Sequence, residues 1–338
     1  MKRVGIPRGL YYYKYSALWE TFFKSLGADV ILSENTNKKV LTNGSNACVS
    51  EACIPVKAYF GHVLELVGKV DFIFMPRFTS VAKKQYICPE VCGVSDMVRN
   101  SVRGLPKIID PEINLRESVK NSWRAALYTG EFITGDRRRI SKAYKEAVTQ
   151  YRNKRQALKF ADTEFGKSLG INGSAARKAD DSAAKLTIAI IGHSYTVYDT
   201  FLNMELIKKL NKFGADVLTL DMLDYIVSKD RCRELDKQFF WDYGTRAYGG
   251  AIQLIQKGRV DGILALTSFG CGVDSFVDEL VEDKIRCESD IPFMKLVLDE
   301  HSAEAGFLTR LEAFIDMIVR RRQNDIYIST SGKHVYNC

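Results

Sequence analysis

Cysteine is the residue type whose number and spacing in this sequence most directly imply chemistry. Eight cysteines occur in 338 residues: Cys48, Cys53, Cys88, Cys92, Cys232, Cys271, Cys287 and Cys338. In a reducing cytosol, clustered thiols point to metal or redox chemistry rather than to disulfides. Cys48-x4-Cys53 and Cys88-x3-Cys92 contain no Cys-x2-Cys knuckle and no histidine at ligand spacing, so a structural zinc ribbon fits poorly. Iron–sulfur clusters accept dispersed thiolates, and the Cys88-Pro89 step is of a kind common around them. Any one of these cysteines alone reads as a small buried hydrophobe. What distinguishes the set is where it falls in the fold.

Four short apolar runs, Arg3 to Ile6, Val30 to Ser33, Phe72 to Met75 and Lys107 to Ile109, alternate with helix-like stretches. The same rhythm returns at Leu186 to Ile191, Asp216 to Leu220, Gly262 to Leu266 and Met294 to Leu298. Such alternation predicts parallel sheets with crossover helices, and its repetition predicts two similar α/β domains, 1–135 and 183–338. Between them, 136–182 is polar and highly charged, with helical spacing over Ser141 to Phe165 followed by a Gly-, Ser- and Ala-rich stretch. This predicts a long helix and a flexible linker. Leu308, Leu311, Phe314, Ile315 and Ile318 recur at helical intervals, which predicts a closing helix over Ala303 to Arg322 packed on the second sheet.

Ligands of open parallel sheets bind beyond the carboxyl ends of the strands. Cys48 and Cys53 follow the second predicted strand, Cys88 and Cys92 the third, Cys232 the second strand of the second domain and Cys271 its third, so six thiols share that edge. Cys287 and Cys338 do not. Pro55 starts a helix, which puts Cys53 at a positive helix end, and Gly270-Cys271-Gly272 lets backbone N–H groups approach sulfur. Lys57 and Arg77 read either as charges behind the thiols or as surface cations. His301 and Glu304, after the fourth strand of the second domain, are candidate proton relays. Tyr195 and Asp199 read either as ligand-orienting groups or as hydrogen bonds that fix the domain interface.

Composition narrows the function classes. With 49 basic and 41 acidic residues the net charge is +8, but the Arg137 to Arg139 and Arg320 to Arg322 runs read as solvated helix faces, and no recognition motif or aromatic platform points to nucleic acid. No apolar run approaches the roughly 20 residues that span a bilayer, and the first residues carry no apolar leader, so a cytoplasmic protein is expected. No Gly-x4-Gly-Lys phosphate loop is present.

Several motifs together resemble a known family: Met1-Lys-Arg-Val-Gly-Ile-Pro-Arg-Gly-Leu, Ala52-Cys-Ile-Pro-Val-Lys with Gly61-His62, Phe74-Met-Pro-Arg, Ser268-Phe-Gly-Cys-Gly-Val-Asp-Ser, and Asp299-Glu-His-Ser-Ala-Glu-Ala-Gly with Thr309-Arg-Leu-Glu-Ala-Phe. The chain resembles the acyl-CoA dehydratase activase-related proteins, grouped with subunits of 2-hydroxyacyl-CoA dehydratases, benzoyl-CoA reductases and double-cubane cluster proteins. The resemblance runs through both domains and is weakest in the central charged segment. It implies two flavodoxin-like, doubly wound domains with an oxygen-sensitive iron–sulfur cluster in the cleft between them. It also implies a separate ATP-hydrolysing activator that carries its own [4Fe-4S] cluster and supplies the electrons.

Dehydratase subunits of this kind hold one [4Fe-4S] cubane on three cysteines, for which Cys53, Cys88 and Cys271 fit. Double-cubane proteins hold an [8Fe-9S] cluster on six, for which Cys48, Cys92 and Cys232 complete the set. Six thiols on one edge favour the double cubane, with Cys232, in the polar Asp230-Arg-Cys-Arg-Glu, its weakest member. The resulting expectation is an iron–sulfur oxidoreductase that passes low-potential electrons to a small-molecule substrate, working as a homodimer. The alternatives are a dehydratase (lyase) subunit acting on an acyl-CoA thioester and a non-catalytic electron carrier.

Overall fold

Each half of the chain buries its apolar strands in a four-stranded, all-parallel sheet, in a computed structural model that describes residues 1–118, 120–159, 186–258 and 260–324. The strands are β1 (Arg3–Ile6), β2 (Asp29–Leu32), β3 (Phe72–Phe74), β4 (Arg77–Ser80), β5 (Lys107–Ile109), β6 (Glu112–Asn114), β7 (Leu186–Gly192), β8 (Ala215–Thr219), β9 (Gly262–Ser268) and β10 (Phe293–Leu298). The first sheet runs β2-β1-β3-β5 and the second β8-β7-β9-β10, the same doubly wound, flavodoxin-like order in both. All seven residues of β7 and of β9 are buried, as expected of strands covered by helices on both faces. Sequence periodicity located all eight of these strands. It missed the small parallel pair β4–β6, whose three or four residues are too short to show alternation.

The helices are α1 (Tyr12–Ser25), α2 (Lys38–Ala47), α3 (Ile54–Leu66), α4 (Pro89–Ser101), α5 (Asn121–Glu131), α6 (Arg137–Lys159), α7 (Ser194–Val197), α8 (Leu206–Lys212), α9 (Tyr225–Arg231), α10 (Asp242–Lys257), α11 (Gly272–Glu288) and α12 (Glu304–Asn324). The charged helix expected between the domains starts earlier than its periodicity indicated. It packs on the first domain: Ile140, Ala143 and Ala147 enter that core, and Arg139 donates to the Leu26 carbonyl at 2.8 Å. Its charge lies on the outward face. The predicted Gly-, Ser- and Ala-rich linker falls outside the described residues. The closing helix α12 lies on the second sheet as expected. Gly262 makes room for it, since a Cβ there would stand 2.5 Å from Ile318 Cδ1.

The domains are joined by buried polar contacts. His62 is wholly buried on α3, its two ring nitrogens each 3.0 Å from a hydroxyl, Ser33 Oγ and Thr36 Oγ1. Thr36 in turn donates to Asp199 of the second domain, which also accepts from Tyr13 at 2.9 Å. Asp199 therefore fixes the interface, one of the two roles open to it from sequence. Lys57 and Glu300 form a 2.5 Å ion pair across the same boundary. On the other side, Tyr86 and Trp241 pair backbone to backbone, with Tyr86 donating to the Phe240 carbonyl at 2.9 Å. Among the described residues no helix is long and apolar enough to cross a membrane.

Candidate functional site

Three helices begin at a cysteine. Cys53 is the N-cap of α3, Cys88 of α4 and Cys271 of α11, and Pro55 and Pro89 fix the first turns of the first two. A proline there loses no hydrogen bond, because the first amides of a helix have no intrahelical acceptor. The free amides and the helix dipole leave each start positive, so each sulfur sits where a thiolate is favoured. The geometry is fullest at Cys271, whose Sγ accepts from the Asp274 amide at 3.4 Å. The equivalent third-position amides, Val56 and Val91, face Cys53 and Cys88 and favour their thiolates, short of a full capping bond.

The fold brings these three caps together from both domains. Cys271 feels the charges of Cys53 and Cys88, and Cys53 feels that of Cys88. Gly270, at φ +79, turns the β9–α11 loop toward the Cys53 loop, and a Cβ on it would lie 3.6 Å from the Glu51 carbonyl. Burial first, then neighbouring negative groups, push the Cys53 and Cys271 thiols far above the ordinary range, and burial raises Cys88 as well. Three thiols, Cys53 buried and Cys88 and Cys271 partly buried, that lie close enough to act on one another and keep their protons without a cation are what a thiolate-ligated metal group would replace. The soft, all-sulfur donor set fits an iron–sulfur cluster.

The other predicted residues are placed differently. Cys48 caps the C-terminal end of α2, half-buried, with Lys57 and Glu90 acting on it. Cys92 lies one turn beyond Cys88 on α4, 3.7 Å from the Thr79 hydroxyl. Cys232 is 0% exposed in the core of the second domain, in the apolar cluster against which Cys88 and Cys271 pack, its thiol donating to the Thr245 carbonyl at 3.6 Å. Burial pushes its pKa up to about 11. The polar look of Asp230-Arg-Cys-Arg-Glu misleads because helical geometry turns the one sulfur inward and the four charges outward. His301 and Glu304 line a separate groove of about 600 Å³ between α2 and the loop after β10, and Glu304 pairs with Lys209 at 2.7 Å.

Sequence reasoning missed groups that share a cavity wall with Cys88. A cavity of about 40 Å³ lies between the domains, where the chain leaves β1 and β7, and its wall includes Tyr11, Cys88, His193, Trp241, Asp242 and Arg246. The His193 ring is stacked between Tyr243 at 3.8 Å and Tyr195 at 4.7 Å. Its Nε2 stands 2.9 Å from Asp274 Oδ1, at an angle too bent for a hydrogen bond. His193, Cys271 and Asp274 each present a ligand atom within 4.8 Å of the others. The only sequence signal was position, since His193 directly follows β7 at the carboxyl edge.

Residues 3–223, more than half of the chain, match the family model described as CoA enzyme activase uncharacterised domain (DUF2229). The chain belongs to this family. Residues 210–318 also match the model described as 2-hydroxyglutaryl-CoA dehydratase, D-component, which ties the second domain to a dehydratase-related enzyme system. The resemblance read from the motifs of both halves is thereby shown at the level of an activase and dehydratase-component family. No curated protein matches the chain. Among solved structures, a periplasmic sugar-binding protein from Pseudomonas fluorescens aligns over 90% of this chain and 87% of its own at 12% identity, with a TM-score of 0.21. A sugar transporter from Clostridium phytofermentans aligns over 96% and 93% at 8% identity, with a TM-score of 0.18. At such scores neither likeness carries weight for fold or function.

Proposed function

We propose that this chain is the electron-accepting component of a 2-hydroxyacyl-CoA dehydratase-type system, with one [4Fe-4S] cubane held between its domains by Cys53, Cys88 and Cys271. The observation that carries this reading is the meeting of three cysteine-capped helix starts from both domains. When bound, the cluster supplies one-electron chemistry at low potential. The chain's own part is electrostatic and protective. The three positive helix ends offset the negative charge of thiolates and sulfide. Tyr11 and Tyr195, stacked edge to face at 6.1 Å beside the thiols, exclude water from one side.

Electrons would come from a separate ATP-hydrolysing activator with its own cluster, a partner in keeping with the family's description as a CoA enzyme activase domain. A reducing cytoplasm suits six free thiols. The double cubane is the second reading, favoured by Cys48, five residues before Cys53, and Cys92, one turn beyond Cys88 on α4. It needs a sixth thiol, and Cys232 would have to leave an apolar core and its carbonyl partner. One cubane is therefore preferred to two.

Anaerobic reconstitution followed by iron analysis and electron paramagnetic resonance tests the reading. Four irons per chain are expected, with a reduced-cluster signal that the activator produces only when ATP is supplied. Eight irons would favour the second reading. No bound iron, or a cluster the activator reduces equally well without ATP, would refute the proposal.

A further inference from the structure

Three buried polar atoms on the wall of the cavity beside Cys88 have no hydrogen-bond partner: His193 Nε2, Trp241 Nε1 and Asp242 Oδ1. Buried polar groups are nearly always satisfied, so three around one cavity call for an explanation in common. Trp241 Nε1 is a donor by its chemistry. His193 Nε2 is a donor too, because a carboxylate oxygen at 2.9 Å requires a proton on that nitrogen. Asp242 is 4% exposed and an acceptor; its Oδ2 is held by Arg246 Nε at 2.8 Å, while the nearby Tyr225 hydroxyl gives its proton to Gln85 at 3.0 Å. The cavity thus offers two donors and one acceptor that complete no hydrogen bond within the chain, His193 Nε2 having only its bent contact with Asp274 and Asp242, beyond its Arg246 pair, only the neighbouring Tyr225 hydroxyl.

Charge and size restrict the occupant. Arg246 is neutralised by Asp242 and, at 3.9 Å, by Asp221, and its guanidinium lies over the Tyr225 ring at 4.7 Å. Lys14 is the remaining wall cation, and burial and Arg246 lower its pKa to about 8. The wall is near charge balance, so a neutral ligand fits it best. A volume of about 40 Å³ against roughly 10–15 Å³ for each water-sized centre leaves space for about three or four heavy atoms. Of the three clustered thiols only Cys88 reaches this wall, so the cavity borders the proposed cluster site rather than containing it.

We propose that this cavity is a binding site for a small uncharged molecule that carries both a carbonyl-type acceptor and a hydrogen-bond donor, such as a primary amide or a hydroxycarbonyl group. Trp241 Nε1 and His193 Nε2 hold the acceptor, and Asp242 Oδ1 takes the donor. Its role as the substrate subsite rests on the cluster reading above; the binding itself does not. Limits on binding energy per atom put the dissociation constant of so small a ligand in the sub-millimolar to millimolar range.

The test uses the full chain and acetamide, with acetate and methylammonium as charged controls, read by saturation-transfer NMR of the methyl groups; the Trp241 indole N–H signal, assigned by its loss in Trp241→Phe, reports the place of binding. Acetamide is expected to saturate and to shift that signal, while both ions bind at least tenfold more weakly. Trp241→Phe, which keeps the ring, is expected to weaken acetamide about fivefold, and Asp242→Asn tenfold or more. Acetamide that leaves the indole signal unmoved, ions that bind as well, or a folded Trp241→Phe variant with unchanged affinity would overturn the proposal. Iron content measured on the same preparations separates the outcomes: a chain that binds iron but not acetamide sinks this inference alone, and one that binds acetamide but no iron sinks the cluster reading.

Discussion

Gly44 and Gly61 lock α2 against α3, and replacing either with alanine should unfold the corner that presents Cys53. A Cβ on Gly44 would stand 1.9 Å from the Lys57 carbonyl oxygen and 2.7 Å from the Gly61 nitrogen, and one on Gly61 would stand 1.9 Å from the Val40 oxygen. Ordinary contact begins near 3.4 Å, so the helices must part by about 1.5 Å. All of these neighbours are backbone and have no rotamer to change. Alanine gains about 1 kcal/mol in helix propensity, but overpacking costs about 1–3 kcal/mol and exposing Val40, which is 0% exposed in the native fold, costs about 2 kcal/mol more. The net expectation for Gly44→Ala is a loss of about 2–4 kcal/mol, which at a urea slope of about 2–3 kcal/mol/M lowers the midpoint by about 1 M. Gly93→Ala on α4 is the control: nothing lies within 4 Å of the added methyl, and a gain of about 0.5–1 kcal/mol is expected. Urea unfolding followed by circular dichroism reads both. A Gly44→Ala midpoint equal to or above wild type would refute the close-packing argument.

Further expectations concern pH and packing. Burial, with the Arg8 charge behind it, lowers His62 from 6.5 to about 3. The unfolded chain therefore takes up a proton that the folded chain refuses, so this group's stability is complete above pH 6.5 and falls as pH drops, by up to about 1.4 kcal/mol per unit. Subtracting a His62→Asn variant from wild type in urea titrations at pH 7 and pH 5 should isolate that slope; identical slopes would contradict it. Burial works against ionisation of Glu300, yet its hydrogen bond with Lys57 leaves the carboxyl below its usual value. That contribution is present above pH 4.5 and lost as pH falls, so Lys57→Met should flatten the acid limb below pH 4.5, and an unaltered limb would remove the ion pair from the account. Cys232→Ala should cost about 1 kcal/mol of stability through a small cavity and leave iron binding unchanged; loss of iron would make Cys232 a ligand after all.

The alternation of apolar runs was enough to read both sheets, because strands covered on two faces need nearly continuous Val, Ile and Leu. Position relative to those strands placed Cys53, Cys88 and Cys271 on one edge, and Pro55 marked in advance the helix that begins at Cys53. Side-chain direction was not legible. Cys232 shares the edge in sequence order but points into the core, which depends on the phase of α9 and the packing of α10. His301 and Glu304 follow the correct strand yet line another groove. The Trp241 and Asp242 walls of the small cavity depend on a backbone pairing with Tyr86 between residues far apart in the chain, which no local pattern encodes.

The central claim is tested most directly by iron and acid-labile sulfide counts on oxygen-free, reconstituted chains carrying Cys53→Ser, Cys88→Ser, Cys271→Ser or Cys232→Ala. The account predicts four irons in the wild type and in Cys232→Ala, and marked loss in each of the three serine variants. Full iron in any of those serine variants, or eight irons in the wild type falling to four in Cys232→Ala, would contradict it.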